Sequence, residues 1–129
     1  MQTLGLGFTW EQLSPGQRFR TLNRTITETD LVLFTSMTGM LETIFIDRTF
    51  AAEKGAIQGQ FVPAALTYSL IEGLLCQSMI QGTGLAMLEL KQKILAPVRA
   101  AIPCMAKSRS RRCARPRRAI AASSRRRST

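Results

Sequence analysis

The chain contains no histidine, one tryptophan, one tyrosine and only three cysteines among its 129 residues. Without an imidazole there is no Cys/His zinc site, and Cys76, Cys104 and Cys113 form no Cys-x-x-Cys pair. An odd cysteine count also argues against a disulfide framework, so the expected compartment is the reducing cytoplasm. No N-terminal stretch joins a basic start to an apolar run and a small-residue cleavage site, so no secretory signal is read. The apolar run from Phe61 to Ile80 raises the question of a membrane span. Pro63, Glu72, Gly73 and Gln77 interrupt it, and it reads as a buried helix instead.

The most informative absence is that of acid at the end of the chain. Residues 100–129 hold ten Lys/Arg and no Asp or Glu, whereas residues 1–99 hold eight of each sign. The formal net charge of +10 therefore belongs wholly to the last segment. This divides the chain into a neutral folded unit, residues 1–99, and a basic tail, residues 100–129, expected to be disordered. Arginine runs bind nucleic acid by releasing counterions. This tail lacks interleaved aromatics for stacking on bases, and the neutral body offers no basic face to extend the contact. Nucleic acid is therefore not the expected partner.

What is present reads as a small mixed fold. Pro15-Gly16 signals a turn, and Gln17 to Leu22 alternates polar and apolar as a strand with one wet face. Thr27 is a good helix N-cap, with Asp30 three residues on to reach back to a free backbone N–H. Leu31, Phe34 and Met37 follow at helical spacing, and Gly39 ends the helix. Residues 38–47 are expected to be a loop, and Phe50-Ala51-Ala52 one short helical turn. Pro63 suits the start of the main helix, whose apolar residues, from Ala64 to Ile80, cover nearly every side. Such a helix must be wrapped by something. Leu85 to Leu95 alternates as a strand ending at Pro97, and further strands are expected after it.

Six segments stand in order along the chain: Arg24-Thr25-Ile26-Thr27-Glu28-Thr29-Asp30-Leu31, Thr38-Gly39, Ile44-Phe45-Ile46-Asp47, Gly55-Ala56-Ile57-Gln58-Gly59, Ser69-Leu70-Ile71-Glu72-Gly73-Leu74 and Leu95-Ala96-Pro97-Val98-Arg99. Taken together they resemble the MaoC-like dehydratases, the (R)-specific enoyl-CoA hydratase branch of the hot-dog fold. The resemblance covers roughly residues 15–99. It implies an α+β hot-dog fold, a central helix wrapped by an antiparallel sheet, incomplete at the C-terminus, and a homodimer or a heterodimer of such units. It implies an acyl-CoA thioester as substrate, with coenzyme A as part of that substrate and no separate cofactor.

The family's chemistry needs a base to activate water and an acid to protonate the alpha carbon, supplied by an Asp and a His five residues apart. The matching positions here are Met40 and Phe45, and neither moves a proton. Gly59 remains where its backbone N–H could face a thioester carbonyl at the start of the central helix, as an oxyanion donor. Glu42 and Asp47 bracket the loop. The resemblance sets Asp47 beside the substrate site, more often as a structural residue. Glu72 is the one substitute candidate, since some hot-dog thioesterases use a carboxylate on the central helix. Cys76, one turn away, has no cation to lower its pKa and reads as inert core. The expectation is a pseudoenzyme that binds acyl thioesters. The alternatives are a non-catalytic heterodimer subunit, a thioesterase using Glu72, and tail-mediated nucleic-acid binding.

A third reading of the tail is a change of reading frame near Arg99, which leaves the family's later strands truncated or frame-shifted. The codons of Ala100 to Ser110, read two bases later, can encode GDSLHGEVEV, a polar turn followed by a strand. The codons of residues 114–129 can likewise encode RETPPSDRGIVTTEIN. Arginine-rich, acid-free sequence is what a GC-rich coding region yields off frame. A helix left partly uncovered in this way predicts poor solubility or dependence on a dimer.

Overall fold

The computed structural model describes residues 1, 3–57 and 59–110. Its longest element is helix α4, Ala64–Ser78, with Pro63 as its N-cap. Proline fits there because the first backbone N–H groups of a helix have no internal partner to lose. Helix α1, Glu28–Thr38, begins as the spacing predicts. The Thr27 hydroxyl accepts from the Asp30 backbone N–H, and the Asp30 carboxylate accepts from the Thr27 N–H at 2.8 Å. Gly39 closes the helix in the left-handed region at φ 70°. Between them stand a one-turn helix α2, Thr43–Ile46, inside the segment expected to be a loop, and α3, Arg48–Glu53.

Four short strands complete the fold: β1, Arg18–Arg20; β2, Arg24–Thr25; β3, Pro103–Cys104; and β4, Lys107–Arg109. β1 pairs antiparallel with β4, and β2 antiparallel with β3. The hydrogen bonds between them run on, from Gly16 N to Ser110 O at one end to Ala101 N to Ile26 O at the other. The two pairs are thus one ladder. Arg20 faces Lys107 and Arg24 faces Cys104, so the first strand carries one more residue than its partner across this stretch. That is a bulge at residues 21–23, which bends the ladder over the helices. A further bridge joins Phe61 to Arg99, and Val62 N donates to Val98 O at 2.8 Å.

The core sits where the ladder, α1 and the head of α4 converge. Ile26, Leu31, Val62 and Leu66 are buried together, with Phe34, Leu70, Val98, Ala100 and Cys104 packed against them. Each fully buried aliphatic side chain contributes about 1.5–3 kcal/mol of transfer free energy. The N-terminal segment docks at the other end of α4, where Gly7 N donates to Gln81 O and Phe8 N to Met79 O. Gly7 is required here: a Cβ would stand 2.3 Å from the Met79 carbonyl oxygen.

Two expectations are corrected. The folded unit does not end at Arg99, because residues 101–110 pair with residues 16–26. Backbone ladders form between N–H and C=O groups whatever the side-chain charge, so composition misplaced the boundary. Residues 111–129, the remainder of the expected tail with Cys113 in it, lie outside the described residues. Residues 85–95, expected as a strand, pair with no strand among the described residues, and Leu85, Leu88 and Leu95 are exposed. Alternation alone cannot make a strand without a neighbour to accept its hydrogen bonds. No helix among the described residues is long and apolar enough to cross a membrane.

Candidate functional site

The head of α4 is where the candidate residues gather. Gly59 stands five residues ahead of the helix at φ +83°, a left-handed conformation that costs an L-residue about 1–2 kcal/mol. A Cβ there would meet the Arg99 guanidinium at 3.5 Å, so Arg99 lies against the glycine backbone. The bridge from Phe61 to Arg99 holds the two segments in this register. The result is a bare backbone and a cation side by side at the entrance to the helix.

Phe45 comes to the same place. Its ring meets Phe61 edge-on with centroids 5.6 Å apart, so half-buried hydrocarbon fills the position where the resemblance sets an imidazole. Met40 is half-buried in the turn after α1. Asp47 is committed to local structure: its carboxylate caps α3, accepting from Thr49 N at 2.8 Å and Phe50 N at 3.1 Å. Glu42 is the exposed residue before α2. Glu72 lies on α4 about 12 Å along the axis from the first turn, at 1.5 Å rise per residue. It stands beside Tyr68, whose phenol is raised above its ordinary pKa by desolvation and then by the Glu72 charge. Phe45 thus meets Phe61, two residues beyond Gly59, and Glu72 is not part of that cluster. Cys76 and Cys104 are free thiols.

A groove of about 850 Å³ opens between α4 and the segment 90–98. Its walls are apolar for the most part, with Phe61, Val62, Ile71 and Ile94 prominent, and it lies within the size range of small-molecule sites. Sequence reasoning missed this groove, because its second wall is the segment read as a sheet strand. The one orphan polar group on it is Thr67: its hydroxyl is buried and has no hydrogen-bond partner among the described residues. A buried hydroxyl left unpaired costs free energy. The apolar lining of the groove suits an apolar chain. Neither Met40 nor Phe45 gives it a group that transfers protons.

No family model matches the chain, and no curated protein matches it either. Solved structures do. A monoamine oxidase regulatory protein from Archaeoglobus fulgidus superposes with a TM-score of 0.70 at 21% identity, over 82% of this chain and 72% of that one. The (R)-hydratase of A. caviae involved in PHA biosynthesis gives 0.64 at 24% identity, over 82% of this chain and 78% of its own. An (R)-hydratase from Pseudomonas aeruginosa, unliganded, gives 0.60 at 21% identity, over 75% of this chain and 61% of its own. The fold is therefore the α+β hot-dog fold of these hydratases, in line with the resemblance to the MaoC-like proteins.

Proposed function

We propose that this chain is an acyl-thioester-binding hot-dog protein without hydratase chemistry. The observation that carries the reading is the apolar groove beside the head of α4, next to Gly59 with Arg99 against its backbone and to Phe45, at the position where the resemblance sets a proton-transfer group. In this reading the acyl chain lies along Ile71 and Ile94. The thioester carbonyl turns toward the Gly59 backbone, where Arg99 stabilises negative charge on its oxygen. Coenzyme A enters only as part of the ligand. In this reading the site polarises a carbonyl, while neither Met40 nor Phe45 takes a proton from water or returns one to carbon.

The test is titration of the protein with enoyl-CoA thioesters of graded chain length, by calorimetry, beside an assay for hydration. Expected are binding that strengthens with chain length, no hydration, and loss of binding on Ala64→Trp, which fills the groove. Absence of binding sinks the proposal. So does water addition, or release of coenzyme A that disappears in Glu72→Gln.

A second reading is favoured by the exposed apolar stretch at Leu85, Leu88 and Leu95. An uncovered extended segment beside a binding groove is suited to pairing with another hot-dog unit, a second copy or a catalytic relative, and such a partner would complete the groove.

A further inference from the structure

The ladder that carries β3 and β4 has the right backbone and the wrong side chains. Arg18 faces Arg109 and Arg20 faces Lys107, two like-charged pairs directly opposite on the exposed face of a two-stranded sheet. Like charges in that relation are destabilising. The ion pairs of the described residues lie elsewhere, at Arg24–Asp30, Arg48–Glu28 and Lys91–Glu89. Between the two clashing pairs, Phe19 faces Ser108. That serine lines a cavity of about 210 Å³ whose other walls are Phe8, Phe19, Leu75, Met79 and Ala106 together with Arg20, Thr21 and Ser78. At the turn entering β3, Ala101 holds φ 65°, the one positive φ outside glycine among the described residues. Ile102 beside it is exposed.

We infer that residues 101–110 carry the side chains of a displaced reading frame, laid on a strand whose original sequence had alternating glutamate and valine. Each codon read two bases later shares two bases with one residue of the present chain. The string GDSLHGEVEV therefore falls on positions 101 to 110 without a gap. It puts glycine at 101, where the backbone is left-handed, and aspartate at 102, where the side chain is in water. It puts leucine at 104, where Cys104 packs on the core. It puts glutamate at 107 and 109, opposite Arg20 and Arg18, and turns both repulsive pairs into attractive ones. It puts valine at 108, facing Phe19 across the small cavity. The cross-strand register decides the matches at 107 to 109, and the backbone, exposure and core packing those at 101, 102 and 104. The inference stands apart from the acyl-binding reading and survives its failure.

The gene sequence gives the first test. The displaced string requires Ala100 and Ala106 to be encoded by GCG, and Arg109 by AGG. An Arg109 codon beginning with C overturns the inference, since no glutamate can then be read there. The second test is made on the full chain. Lys107→Glu with Arg109→Glu is expected to raise the thermal midpoint by about 5 °C at low salt, more than the Lys107→Gln, Arg109→Gln control. Added salt should stabilise the parent chain and destabilise the glutamate variant. Ala101→Gly should raise the midpoint further. A glutamate pair that leaves the midpoint unchanged or lowers it overturns the inference.

Discussion

The two segments that flank the groove, the head of α4 and residues 85–98, teach opposite lessons about what makes this chain fold. On the α4 side, Val62 and Leu66 are about 3% exposed and pack under Ile26 and Leu31. On the other side, Leu88 and Leu95 are 95% and 84% exposed, although residues 85–95 are as apolar and as regularly patterned. The difference is partners. The head of α4 has α1 and the bulged ladder to close over it. The segment 85–95 has no strand beside it and no backbone hydrogen bond among the described residues, so its leucines gain nothing there from alternation.

That contrast is broken most severely in the core. Leu66→Ala should cost about 2–4 kcal/mol in urea unfolding, the range for a buried leucine truncated beside residues that cannot collapse into the gap. Leu88→Ala should stay within about 0.5 kcal/mol, as for exposed positions generally. Equal losses would mean that the two walls are equally packed, as in a sheet completed by a partner. Next in size is Gly59→Ala, expected to cost about 1 kcal/mol because φ +83° strains any Cβ, although the methyl would meet the Arg99 guanidinium only at ordinary contact distance. It should weaken acyl-thioester binding as well.

The smallest effect sharpens the comparison at the start of α1. The backbone N–H of Thr27, more than any other group, holds the Asp30 carboxyl below the usual carboxylate range. Partial burial opposes this, while the Thr27 hydroxyl and Arg24 add to it. A group whose pKa is lowered by folding stabilises the fold above its unfolded pKa, near 4, and loses that contribution as pH falls through the lower folded value. The stability difference between the parent chain and Asp30→Asn should be present at neutral pH, small because solvent screens it, and should vanish in acid. A difference that persists at the lowest pH would assign the effect to packing instead.

The short-range features were legible in the residues. Thr27 and Asp30 form the capping box their spacing predicts, Gly39 terminates α1 in the left-handed region, and Pro63 opens α4. Each of these depends on contacts within a few residues, where side-chain chemistry and backbone geometry are tied directly. At the candidate site, Met40 and Phe45 were readable as residues without proton chemistry. Their neighbourhood was not: the Phe45–Phe61 contact and the seat of Arg99 on Gly59 join segments far apart in sequence.

The charge break after Arg99 separates the two kinds of knowledge. The sequence by itself determined that acid disappears there and that the body carries no acid/base pair at Met40 and Phe45. Only the tertiary structure decided that the break falls inside a ladder, with Lys107 and Arg109 set against Arg20 and Arg18. The reason is physical. Backbone hydrogen bonds pair strands without regard to side-chain sign, so composition marks where the chain changes character, while register alone shows which partners the change left opposed.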